Sequence, residues 1–231
     1  MPARGRAAEC RMADRMFLRL AGDPLYAPET TVPAGTMQEL AVPPALAPHV
    51  AHALAYQERL PAEVVVTERV LPDGALRLIV ESSSGTPSVR VAGPQTQAVV
   101  LHHQGHTQGL ALTLLPGAAR VLLGAAAYEL AGEVYAWEEV AAAPARALSQ
   151  CLCDGLARNC MGVLLRVLRE GSRPQNPADS RRLHAAMALL YGSRARRPVR
   201  EAAATLGIGE RRLEQLFREH VGLTPKAWHR L

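Results

Sequence analysis

From Glu63 to Leu115 the chain is strand-like: short β-branched or alternating runs, each closed by Gly or Pro. This texture limits the fold more than any other feature. "EVVVTERVL" and "ALRLIVES" flank Pro72-Asp73-Gly74, where Pro presets one φ and Gly accepts a positive one, so a hairpin is expected there. "SVRVAG", "TQAVVLHHQ" and "GLALTLL" follow as further short strands. Close-spaced strands with turn residues between them predict an antiparallel sheet or small barrel.

At Pro116 the texture changes. Pro116-Gly117 opens "AARVLLG", and a longer helical segment is expected from Pro144 to the stop at Gly171. In it Leu148, Leu152, Leu156, Cys160, Val163 and Val167 form one apolar stripe, suited to a core or a dimer partner. "GSRPQNP" at 171–177 marks a domain boundary. Beyond it, Asn176-Pro177 caps a helix with Leu183, Met187 and Leu190 on one face. Val199, Ala202, Ala203 and Leu206 then give a short helix, Gly207-Ile208-Gly209 a tight turn, and Leu213, Leu216 and Phe217 the buried face of another. The expected class is α+β: a sheet or barrel domain over 21–171, then an all-α helix-turn-helix part over 177–231. The Arg-rich residues 1–20 lack the apolar stretch of a signal peptide and are expected to be a disordered lead-in.

The 231 residues, 48% hydrophobic and 20% charged, suffice for one large or two small domains, and no apolar run approaches a membrane span. Four cysteines without a secretory signal point to a reducing compartment, so a cytoplasmic protein is expected. The net charge of +5 is unevenly placed. Residues 1–177 carry 15 Arg against 16 acidic residues; residues 178–231 carry 10 Arg and Lys226 against 5, a local surplus of +6. A basic field of that kind suits a polyanion such as double-stranded DNA. On the second helix of the tail the outward positions Glu210, Arg211, Arg212, Glu214, Gln215 and Arg218 are all polar, and Arg and Gln fit base edges in the major groove.

Two clusters suggest metal or thiol chemistry. "LHHQGH" gathers His102, His103 and His106, and "CLCDGLARNC" gathers Cys151, Cys153 and Cys160. On a strand His102 and His103 face opposite ways, and on a helix Cys151 and Cys153 lie about 200° apart, so neither cluster converges on an ion. Packing roles are expected, with no metal and no cofactor. The chain has no phosphate loop, nucleophile elbow or His-Glu-x-x-His, and no enzyme activity is expected.

"VREAAATLGIGERRLEQLFREHVGLTPKAWHRL" resembles the first helix-turn-helix of AraC/XylS-type bacterial transcription regulators, with Leu213, Phe217, Gly222 and Pro225 in the expected places. "ERVLPDGALRLIVES", "AGPQTQAVV" and "PGAARVLLG" are similar to an amino-terminal domain of undefined ligand found in a subset of them. The resemblance implies a homodimeric, sequence-specific DNA-binding regulator and leaves open a small-molecule effector. By position it assigns base reading to Arg211, Glu214 and Gln215, places Arg212 and Arg218 nearer the phosphates, and puts Lys226 at the start of the next helix. Gly209 stands where the family has Ser or Thr. The family uses two such units joined by a linker helix, and this chain stops inside that linker. A truncated product is therefore expected, one that folds and dimerises but binds DNA weakly and with little preference. The alternative is a ligand-binding or dimerisation module that has lost independent DNA binding.

Overall fold

A computed structural model describes residues 37–140, 162–163, 165–166, 176–191 and 198–231. The described residues hold eight strands: β1 (Met37–Leu40), β2 (Val50–Arg59), β3 (Val65–Val70), β4 (Leu76–Ser83), β5 (Thr86–Ala92), β6 (Val99–Gln104), β7 (His106–Leu114) and β8 (Val134–Ala136). Six of them form one antiparallel sheet in the order β1-β2-β7-β4-β5-β8, and β3 and β6 pair separately as a two-stranded ribbon. Helices α1 (Ala118–Leu122) and α2 (Trp137–Val140) belong to this part. The carboxy-terminal part holds α3 (Pro177–Tyr191), α4 (Val199–Thr205), α5 (Glu210–Val221) and α6 (Pro225–Trp228). The chain is thus mixed α+β with a mostly antiparallel sheet. Among the described residues no helix is long and apolar enough to cross a membrane.

Alternation gives the sheet two chemically different faces. Leu78, Leu112 and Val91 stand side by side by register, and with Val80, Leu110 and Val89 they are fully buried. Leu46, Ala118, Leu122 and Trp137 close over this face. Tyr56, Gly109 and Glu81 form a row on the other face, and Glu58, Thr107 and Ser83 the next. That face is polar, and the β3–β6 ribbon faces it.

Three expectations for the strands are corrected. No hairpin crosses Pro72-Asp73-Gly74, because β3 pairs with β6 while β4 pairs with β5 and β7. The turn is nonetheless built as its residues demand: Gly74 has φ +67°, and Asp73 accepts from the Ala75 amide and pairs with Arg77. It carries the chain from ribbon to sheet. The tight hairpin lies at Ser84-Gly85, both at positive φ, between β4 and β5. Strands also extend beyond the expected 63–115, with β1 and β2 before it and β8 inside the stretch expected to be helical.

The carboxy-terminal helices share a second core. Leu183, Met187 and Leu190 of α3, Ala202 and Ala203 of α4, and Leu213 and Phe217 of α5 are all buried in it. Asn176 Oδ1 accepts from the Ala178 amide at the start of α3. Most of the Pro144–Gly171 segment, the cysteines at 151, 153 and 160, and most of the 171–177 boundary lie outside the described residues. Within that segment Val163 is helical and buried against the sheet core.

The two parts meet through the last turn of α5. The Gly117 amide donates to the His220 carbonyl (2.9 Å), and Arg120 pairs with Glu219 (3.2 Å). Leu223, Trp228 and Leu231 close over Gly74 at the sheet end. Burial holds the His220 imidazole below its ordinary pKa, opposed by Glu219 and Asp179 and supported by Arg120 and Arg212. A depressed histidine binds protons more readily when unfolded, so its contribution is whole above the unfolded value of 6.5 and is lost as pH falls through the lower folded value. The protection of the Gly117 amide against exchange, measured relative to its intrinsic rate at each pH, is expected to fall on acidification below pH 6.5 more than that of amides in the centre of β7. An equal change in protection at both places would leave His220 without a role.

Candidate functional site

Helix α5 has one buried and one exposed face, and the sequence sets both. Leu213, Leu216 and Phe217 are fully buried, which fixes the rotation of the helix about its axis. Phe217 meets Trp228 edge-on, with ring centroids 5.8 Å apart. The turn before α5 needs Gly207 at φ +65°, and Ile208 packs against the shared core. Gly209 caps α5 in an extended conformation without a side-chain hydrogen bond. Ala202 and Ala203 are buried where α4 crosses, so larger side chains there would push the two helices apart.

With that rotation fixed, Arg211, Glu214, Gln215 and Arg218 are all exposed. Their spacing of i, i+3, i+4 and i+7 puts them on one face, and they are four of the six positions expected to point outward; Glu210 is also exposed and Arg212 is half-buried. The contacts to the sheet domain come from Glu219, His220 and Gly222 at the other end of the helix. Lys226 is exposed on α6, which Thr224 caps by accepting from the Ala227 amide.

Arg212 is differently placed. Its Nη2 donates to both carboxylate oxygens of Asp179 on α3 at 2.9 Å, and Nη1 donates to Gln215 Oε1 at 3.1 Å. A forked contact of this kind holds a guanidinium in one orientation, so Arg212 ties α5 to α3 and steers Gln215. Asp179 is the residue that sequence reasoning missed. In the sequence it looks like an ordinary first-turn acid of α3.

The three histidines of "LHHQGH" are drawn to different partners. His103 Nδ1 lies 3.0 Å from Glu58 Oε2, His102 Nδ1 is 3.3 Å from Thr67 Oγ1, and His106 Nε2 is 3.2 Å from Gln57 Nε2. Among the described residues no group of three His, Cys, Asp or Glu side chains is placed to hold a metal ion.

A family model described as a domain of unknown function (DUF6597) matches residues 38–136, the span from β1 to β8. No curated protein and no solved structure matches the chain.

Proposed function

We propose that this protein is a DNA-binding transcription regulator of the AraC/XylS type, its sheet domain serving as sensor and its α4–turn–α5 unit as reader. The observation that carries the reading is the α5 face: two exposed Arg, a Glu and a Gln at one-face spacing, on a helix whose opposite side is buried. Arg offers paired donors to guanine and Gln a donor–acceptor pair to adenine, and Glu214 accepts from cytosine. Arg218 and Lys226, farther along, suit phosphate oxygens, which position the protein without reading sequence. The local surplus of positive charge supports the same partner. One such unit reaches a single half-site, so a homodimer supplies the second.

Arg211→Ala tests the reading. Against a site selected from a random-sequence pool, the variant is expected to lose about 1–3 kcal/mol of binding free energy and to relax preference at one base pair. Titrations of selected and random DNA at one fixed salt concentration make the comparison. Equal losses on both would make Arg211 a phosphate contact. A wild-type chain that binds neither DNA would leave a ligand-binding or dimerisation module alone.

A further inference from the structure

The polar face of the sheet and the β3–β6 ribbon enclose a cleft of about 690 Å³. Glu81, Ser83, Arg90 and Thr107 form its floor, and Leu101 and His103 face it from the ribbon. It lies at the Ser84-Gly85 hairpin end of β4, whereas α5 and α6 dock at the Gly74 end of the same strand. The volume falls within the usual range for small-molecule sites, about 300–1,000 Å³.

The hydrogen-bonding capacity of the lining is unbalanced. Glu81 Oε1 accepts from Arg90 Nη2 at 2.7 Å, and Glu81 Oε2 accepts from the Tyr56 hydroxyl at 2.7 Å. Both carboxylate oxygens therefore have a donor within the protein. Tyr56 reaches Glu81 by crossing β7 at Gly109, where a Cβ would sit 2.3 Å from the phenol ring. Burial and the neighbouring Glu81 carboxylate push the Tyr56 hydroxyl far above its ordinary range, so it stays protonated and keeps donating. Glu58, at the edge of the floor, faces His103. On the donor side, Arg90 lines the cleft with its side chain 43% exposed, and Ser83, Ser84 and Thr107 add hydroxyls. An incoming carboxylate adds a charge-assisted hydrogen bond to that guanidinium. Leu101, 39% exposed and on the same ribbon face as His103, presents uncovered apolar surface toward the floor.

We propose that this cleft binds a small organic monoanion, a carboxylate on a compact apolar body, with its charged end at Arg90 and its body against Leu101. The lining carboxylate, Glu81, is already engaged by Arg90 and Tyr56, so it offers a cation little. A neutral alcohol offers an acceptor but no charge for the guanidinium, and charge-assisted hydrogen bonds are roughly twice as strong. The proposal deepens the sensor half of the reading above and does not depend on its DNA half.

The test uses the full chain without DNA, so a failure to bind DNA leaves it intact. The probes are cyclohexanecarboxylate, cyclohexylmethanol and cyclohexylmethylammonium, which share one ring and differ in charge. Calorimetric titration at fixed ionic strength is expected to show saturable binding of the carboxylate, at least about tenfold weaker binding of the alcohol, and none of the ammonium. Arg90→Gln removes the positive charge and is expected to weaken carboxylate binding at least about tenfold. Because that change also strips Glu81 of its partner, Ser83→Asp is the companion variant. Ser83 is exposed, so the fold tolerates the change, and a new negative charge on the floor is expected to cost the same factor. Absence of saturable carboxylate binding up to about 10 mM overturns the proposal. So does equal binding of all three probes, or wild-type affinity in a folded Ser83→Asp protein.

Discussion

Phe217→Ala is expected to destabilise the carboxy-terminal unit by about 3–5 kcal/mol, the range for deleting a fully buried aromatic ring. Phe217 has no exposed surface, lies in the core shared by α3, α4 and α5, and stacks edge-on against Trp228. Truncation removes both the buried area and the aromatic contact. Ala202 and Ala203, the small residues opposite, have nothing with which to fill the space. Urea unfolding followed at Trp228 measures the loss. A change below about 1 kcal/mol would mean that the three helices do not share a packed core. Arg211→Ala, on the exposed face, is expected to shift the same midpoint by less than about 0.5 kcal/mol, which separates reading from folding.

Gly222→Ala is expected to cost about 2–5 kcal/mol, through two mechanisms that add. Gly222 ends α5 at φ +85°, where its amide donates to the carbonyls of Phe217 and Arg218. An L-residue in this left-handed region meets its own carbonyl, and a Cβ there would also lie 2.6 Å from the Ala127 carbonyl oxygen and from Pro94 Cγ. Neither neighbour is the loose end of a flexible side chain. The end of α5 must therefore lift from the sheet domain, and the Gly117–His220 hydrogen bond beside it should be lost. Gly222→Ala is thus expected to free the Gly117 amide for exchange at neutral pH as well as to lower stability. A stable variant with Gly117 still protected would show that the joint yields at no cost.

The helical part was legible in the sequence because its determinants are local. Leu213, Leu216 and Phe217 repeat at helical spacing, so the burial of one face and the exposure of Arg211, Glu214, Gln215 and Arg218 follow from a single period. The role of Arg212 was not legible. Its partner Asp179 lies 33 residues upstream, on a helix whose approach depends on the packing of the whole unit. Strand β2, "VAHALAYQER", escaped for another reason. Its alanines favour helix, and it is a strand because β1 and β7 pair along both its edges. The Pro72-Asp73-Gly74 turn was real, but turn chemistry fixes a bend and not the partner of the strand that leaves it. The cleft was hidden for the same reason, since β4, β5, β6 and β7 bring its lining together across two separate sheets.

The strand order carries a consequence for how the chain folds as it is made. β7 lies between β2 and β4, although it is the last of the three to be synthesised. Until His106–Leu114 emerges, β2 has no inner neighbour and the β4–β5 hairpin has an open flank. At about 5–20 residues per second, the interval of nearly 50 residues from the end of β2 lasts several seconds. During that interval the apolar sides of β2 and β4 are uncovered, which is when a nascent chain is most vulnerable to pairing with another copy of itself. Arrival of β7 closes both flanks at once, so the sheet should form late and in a single step, while α3, α4 and α5, whose contacts are closer in sequence, assemble quickly once synthesised.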